Sequence, residues 1–159
     1  MIKRLSILLF SLIYAAIVLT TFAADRLAAM GQIETAIKLD PVNAELYFRK
    51  YELLNLSSRE AEGDEAISKS PGLKPRASSP NPASDIQKQC LQLIKHAIDL
   101  RPLWPEYHLY YASTLEQMTP GTNFITRQVI LGELKKAADL KPYSPSARKI
   151  YEKHLNSYE

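Results

Sequence analysis

The chain has 159 residues, with 20 Lys and Arg against 17 Asp and Glu, so its formal net charge is +3. Two of these positive charges, Lys3 and Arg4, precede a long apolar segment; the rest is nearly neutral and offers no basic stripe for nucleic acid. Only five glycines and one cysteine occur, which excludes a glycine-rich phosphate loop and an intramolecular disulfide framework.

The first predicted element is a membrane helix. An uncharged stretch of 20 residues begins at Leu5 and ends at Ala24, and at 1.5 Å per residue it makes a helix about 30 Å long. That length matches the hydrocarbon core of a bilayer. Because Lys3 and Arg4 lie before the stretch, the N-terminus is predicted to be cytoplasmic and the C-terminal domain extracytoplasmic, periplasmic in a Gram-negative bacterium. Residues 1–24 are therefore predicted to form a single-pass signal-anchor.

A cleaved signal peptide is the alternative interpretation of this segment. Thr21 and Ala23 supply the small residues at positions −3 and −1 of a cleavage site, so cleavage near Ala23 would give a secreted protein. The apolar stretch exceeds the roughly 7–15 residues of a signal-peptide core, which favours the anchor.

The membrane helix is predicted to continue into the domain that follows it. No Pro or Gly occurs between Met1 and Met30, so the sequence predicts one rod of about 35 residues that ends at Asp40. Gly31 would be its only flexible point. Such a rod would hold the domain near the bilayer, and its partners would also be membrane-associated.

A pattern of small or slim residues followed by a proline occurs three times along the chain. Residues at i, i+4 and i+7 share one helix face, and a proline five residues later ends the helix. The copies are Ala29, Ile33, Ala36 and Pro41; Cys90, Ile94, Ala97 and Pro102; and Ile130, Leu134, Ala137 and Pro142. A narrow helix face permits close approach of a neighbour, so we expect Ala97 and Ala137 to be almost completely buried.

Each of the three prolines is followed by an aromatic-rich amphipathic segment, over residues 45–56, 106–118 and 146–158. The first two are predicted to pair with 85–100 and 124–140 as antiparallel helical hairpins. The third carries apolar residues on one face and charges on the other, which is typical of a C-terminal capping helix.

Residues 57–84 differ from the rest of the chain. They contain seven Ser, four Pro and no aromatic residue, an acidic first part and a basic second part. Such a composition buries too little apolar surface to offset the entropy of ordering, so the segment is predicted to be a disordered insertion within a hairpin. A longer loop adds little entropic cost of closure, so long insertions are tolerated without a function, which favours a passive loop over a binding loop.

The junction AIKLDPVNAELYFRKYELL resembles the tetratricopeptide repeat (TPR) family, where the second helix of one repeat meets the first helix of the next. The family's small, bulky, Ala and Pro positions fall on the three patterns, and the resemblance covers residues 29–158. The repeats are degenerate, since the prolines are 61 and 40 residues apart against a family period of about 34. Tyr51 and Ala112 also replace the family's first-helix glycine. The resemblance implies an all-α domain of TPR-like antiparallel hairpins over residues 25–159.

In TPR-like stacks the first helix of each pair lines a concave surface, and here those helices are rich in tyrosine. Aromatic residues in a shallow groove are frequent binding hot spots. The residues predicted to face a partner in this groove are Tyr47, Arg49, Lys50, His108 and Tyr111. The alternative is that the aromatics fill space between poorly matched repeats.

The sequence offers no catalytic, cofactor-binding or metal site, and no small-molecule substrate is expected. His96, His108 and His154 are far apart and belong to no metal-ligand motif. Glu106 and His108, two residues apart, point to different sides of a helix. The protein is therefore not expected to be an enzyme.

Two functions remain open. One is a membrane-anchored protein–protein interaction scaffold, displayed outside the cytoplasm. The other is a structural subunit of a larger membrane or cell-envelope assembly that packs through its apolar helix. The small residues that could form a packing face on this helix give only a weak signal: Ser6, Ser11, Ala15 and Ala16. Similar Leu-Asp-Pro repeats occur in extracytoplasmic parts of bacterial surface-polysaccharide machinery, and this fold-level analogy alone suggests a helper role there.

Overall fold

A computed structural model describes residues 2–67, 82–119 and 124–157, with side chains over 6–59, 85–119 and 124–157. Within these ranges the chain forms seven α-helices and no strand, so the predicted all-α class is confirmed for this part of the protein. The helices are α1 (Ile2–Ala29), α2 (Ile33–Leu39), α3 (Ala44–Ile67), α4 (Pro82–Leu100), α5 (Pro105–Met118), α6 (Phe124–Leu140) and α7 (Pro145–Ser157).

Each helix packs mainly against the next one in the chain, and the most extensive contacts join α3 to α4 and α5 to α6. Helices α3 and α4 are antiparallel. Tyr47 contacts His96, whereas Tyr51, one turn later in α3, lies near Cys90, which is earlier in α4. Successive helices therefore pack side by side in a stack, and the connectors between them lie at its two edges.

The second and third small-residue patterns are the buried faces of α4 and α6. Ala97 and Ala137 are both 0% exposed, which confirms the prediction of almost complete burial. The other buried members of these patterns are Cys90, Ile94, Ile130 and Leu134. With no more than a methyl group at the alanine positions, the neighbouring helices approach closely enough to exclude water.

The predicted continuous rod of about 35 residues ending at Asp40 is wrong, because α1 ends at Ala29. Gly31 adopts a φ of 80°, its amide donates to Ala28 O over 3.0 Å, and the Gln32 amide donates to Leu27 O over 2.9 Å. These two bonds form a Schellman motif, which ends a helix at a left-handed residue. The chain reverses here, and α2 folds back against α1. As a result Ala29, the first residue of the first pattern, is exposed, and Ala28 is buried in its place.

The predicted insertion at residues 57–84 is corrected at both ends. α3 continues to Ile67, and α4 begins at Pro82, a position that suits proline because its missing amide would be unpaired there anyway. The stretch from Arg59 to Ala66 is rich in Glu and Ala, which are strong helix formers, and this propensity extends α3 beyond its apolar face. Residues 68–81 lie outside the described residues.

α1 has two parts with different surroundings. Over Ser6–Ala29 it is long and apolar enough to cross a membrane or to act as a signal sequence. The described side chains up to Thr20 are all exposed, whereas Ala24 and Ala28 are buried in one cluster with Ile33, Ala36 and Leu46. The C-terminal end of the apolar helix is therefore part of the folded domain.

Candidate functional site

A groove runs along the side of the stack formed by α1, α3, α5 and α7. Its first part is an open cleft of about 500 Å³ lined by Ala28, Ile33, Arg49, Tyr51, Glu52, Leu53, Asn55, Leu56, Arg59 and Tyr110. Its second part, about 340 Å³, is lined by residues of α5, α6 and α7, among them Leu109, Tyr110, Ser113, Glu116, Ile150 and His154. Tyr110 lines both parts, which are here called together the groove.

The floor of the groove is held by aromatic contacts between α3 and α5. The Phe48 ring lies 5.1 Å from both Tyr107 and Tyr110, and the Tyr51 ring lies 5.7 Å from Tyr110. Tyr51 and Tyr107 are buried, whereas Tyr110 presents part of its ring to solvent. Most of the aromatic cluster therefore joins neighbouring hairpins, and Tyr110 is the member that a ligand in the groove would touch.

A buried hydrogen-bond chain fixes Tyr51 beneath this surface. Thr114 Oγ1 donates to Tyr110 O over 2.8 Å, so it accepts from Tyr51 Oη at 3.1 Å. Burial raises the pKa of the Tyr51 phenol. The phenol is thus a neutral donor with its partner in place, and it is not available for acid–base chemistry in the groove.

The rim of the groove carries charges of both signs. Arg49 Nε lies 3.6 Å from Glu45, and His154 Nε2 lies 3.3 Å from Glu116. Lys141 donates to Glu106 over 2.7 Å, and this bond is the main cause of the lowered pKa of the Glu106 carboxyl. An apolar floor with mixed charges at its margin is the usual composition of a surface that binds a protein segment.

The structure does not bring the five predicted groove residues together. Arg49 lines the groove. Tyr47 and Lys50 lie on another side of α3, beside α4, where they line a separate depression with His96. Tyr47 Oη donates to Pro41 O over 3.1 Å, and Lys50 pairs with Glu34 at 3.3 Å.

The prediction that His108 and Tyr111 face the groove is wrong, because neither lines it: His108 is buried, and Tyr111 is partly buried against the core. His108 is 3% exposed; Nδ1 lies 2.6 Å from a Glu133 carboxylate oxygen and Nε2 lies 2.8 Å from Pro102 O. Both ring nitrogens of His108 therefore have a partner inside the stack, and neither is directed into the groove. Tyr111 packs against the core between α3, α4 and α5. Glu133 lies 25 residues beyond His108 on a different helix, and no sequence spacing signals such a pair.

The sequence did contain a signal for the residues that line α3 on the groove side. Arg49, Leu53 and Leu56 recur at i, i+4 and i+7, which places them on one helix face. Arg59 follows at i+10 on the same face, but it lies beyond Leu56, where the apolar pattern predicts the end of the helix. Nothing in the spacing of Tyr110 separates it from the buried Tyr107 on the same helix.

Among the described residues no group of three or more His, Cys, Asp or Glu is placed to hold a metal ion. Cys90 is a buried free thiol whose pKa is raised by burial, so it packs as a small apolar residue, as expected from its position in the second pattern. The chain matches no protein-family model, and no curated protein is significantly similar to it.

Proposed function

We propose that the protein is a membrane-anchored scaffold whose TPR-like helical domain binds a segment of a partner protein in the groove. One observation carries the proposal: the apolar helix α1 is itself a wall of that groove. Ala28 lines the groove, and Ala24, the last residue of the uncharged stretch, is fully buried against the domain. The binding surface is therefore built on the anchor and is not joined to it by a linker.

The same contacts favour retention of α1 over its cleavage. Cutting near Ala23 would leave only 24–29 of α1, less than two helical turns, to cover the apolar faces of Ile33, Ala36 and Leu46. A helix this short is not stable on its own, so cleavage would loosen the first hairpin and one wall of the groove. With Lys3 and Arg4 held in the cytoplasm, the domain faces the extracytoplasmic side.

The dimensions and chemistry of the groove suit a partner segment that offers apolar side chains. Leu53 and Leu56 are about half exposed on its first part, and Tyr110 stands between its two parts. Arg49, Arg59 and Glu116 at the margins would fix the direction of the segment through charge. Burying exposed leucines and a tyrosine supplies affinity, and the rim supplies selectivity.

The groove is tested by replacing Leu53 and Leu56 together by Ser and recovering the tagged full-length protein from detergent-solubilised membranes. The matched control replaces two exposed apolar residues of α6, Ile125 and Val129, by Ser. We expect partners recovered with the wild-type protein and the control to be lost or strongly depleted with the groove variant. Circular dichroism should show the same helix content and nearly the same melting temperature for all three proteins, because both pairs of side chains are already exposed.

Equal recovery with the groove and control variants would contradict the scaffold proposal. If recovery instead falls when Ala15 and Ala16 are replaced by Leu, the apolar helix itself contacts other membrane helices. That result would support the structural-subunit alternative. The anchor is tested independently by carbonate extraction and by a reporter fused after Glu159, and release with a new N-terminus near Ala24 would contradict it.

A further inference from the structure

Three connectors between helices expose an apolar side chain at the same position. In each, the residue directly after the proline projects into solvent: Val42 is 73% exposed, Leu103 76% and Tyr143 97%. Trp104, beside Leu103, is 46% exposed. These four residues are here called the connector edge. Exposing their side chains to water costs free energy, and none of them lines the groove.

The three connectors lie side by side along one edge of the stack. Tyr107 Oη, in the first turn of α5, donates to Glu45, in the first turn of α3, over 3.5 Å. Lys141 Nζ, at the start of the third connector, donates to Glu106 of α5 over 2.7 Å. The side chains of the connector edge therefore project from neighbouring positions on the same edge.

The connector edge is level with the end of the uncharged stretch of α1. After the turn at Gly31, α2 runs back along α1 for seven residues, which at 1.5 Å each is about 10 Å. The first turn of α3 then follows, and its Leu46 shares a cluster with Ala24. When α1 crosses a bilayer, the first connector is carried to the surface of that bilayer, and the other two connectors lie beside it.

We propose that the connector edge is seated in the interface of the bilayer that α1 crosses, with Val42, Leu103, Trp104 and Tyr143 inserted among the lipid headgroups and upper acyl chains. The inference rests on the proposed membrane anchor and adds a second membrane contact to it. Trp and Tyr are the residues that prefer this interface, because one end of each side chain is apolar and the other forms hydrogen bonds. The domain is then held against the membrane by two contacts, which fixes the distance and orientation of the groove.

Trp104 is the only tryptophan of the chain, so the native protein carries its own probe. The full-length protein is reconstituted in phosphatidylcholine vesicles with or without bromine on the upper acyl chain. We expect bromolipid to quench Trp104 emission, the emission maximum to shift to the blue relative to the protein in detergent, and aqueous acrylamide to quench weakly.

The matched control moves the probe onto the anchor by combining Trp104→Phe with Tyr14→Trp. Its tryptophan should be quenched by lipids brominated deep in the acyl chain, which reports that α1 spans the bilayer. Quenching at position 14 without quenching of Trp104 would overturn the interfacial seat and leave the anchor intact. No quenching at position 14 would overturn the anchor and the interfacial seat together. Protection of Trp104 from acrylamide without quenching by bromolipid would show a protein covering the edge, which also contradicts the inference.

Discussion

Replacing Gly31 by Ala tests the reversal that separates the first hairpin from a continuous rod. At φ 80° an L-residue is strained, and a Cβ built on Gly31 would meet no atom within 4 Å, so the cost is torsional and not steric. That cost is about 1–2 kcal/mol, and reduced freedom of the unfolded chain returns about 0.4–1 kcal/mol. The expected net effect of Gly31→Ala is a loss of about 1 kcal/mol.

Gly132→Ala is the matched control, since it makes the same substitution inside a helix. Gly132 lies within α6, and a Cβ there would also meet no atom within 4 Å. Alanine in a helix interior is favoured over glycine by about 1 kcal/mol, so this change is expected to stabilise the protein. The two variants should therefore differ from wild type in opposite directions, by roughly 3–5 °C each in melting temperature.

The measurement is thermal unfolding of the reconstituted protein followed by circular dichroism, together with hydrogen exchange in α2. The Asp40 amide donates to Ala36 O over 2.9 Å and reports opening of the first hairpin even when the remaining helices stay folded. Hydrogen exchange of this amide should be about fivefold faster in Gly31→Ala. The expected loss of about 1 kcal/mol gives this factor, since about 1.4 kcal/mol corresponds to a factor of ten. Stabilisation by Gly31→Ala, in parallel with Gly132→Ala, would mean that residues 30–32 are helical, and the rod interpretation would be restored.

Two further predictions concern buried groups. Burial raises the pKa of the Glu133 carboxyl, but the hydrogen bonds from Lys136 and His108 outweigh burial, so the folded-state pKa lies below 4.5. The ionised carboxylate therefore stabilises the fold above pH 4.5, and this stabilisation is lost as the pH falls through the folded-state pKa. Glu133→Gln should therefore lower the free energy of unfolding by roughly 2 kcal/mol at neutral pH, measured by urea titration. The difference in unfolding free energy from wild type should become smaller in acid, and a difference that does not change with pH would contradict an ionised Glu133. The single thiol, Cys90, should resist a thiol reagent in the native protein and react fully in denaturant, because it is buried with a raised pKa; rapid native labelling would place it at the surface.

Local patterns in the sequence determined most of the helices and their inner faces. The i, i+4, i+7 spacing of Cys90, Ile94 and Ala97 identified the buried face of α4 because helix periodicity is a property of the chain alone. Each proline likewise marked the end of a helix through its own geometry. Asn43 directly precedes α3, and its Oδ1 accepts a hydrogen bond from the Glu45 amide over 3.2 Å, which is the bond that asparagine typically makes as an N-cap. The length of the uncharged stretch similarly fixed α1 as a candidate membrane helix.

Tertiary packing decided what these patterns left open. Gly31 permits either a kinked helix or a left-handed turn, and burial of Ala28 against Ile33 and Ala36 selects the turn. His108 reads as a polar residue on an aromatic helix, and only the neighbouring α6 supplies Glu133 as its buried partner. Which residues line the groove also depended on which helices are neighbours. Tyr107 and Tyr110 are one turn apart on α5, yet the first is buried and the second lines the groove. A one-dimensional pattern gives the face of a helix, whereas the partner of that face is set by the free energy of the whole stack.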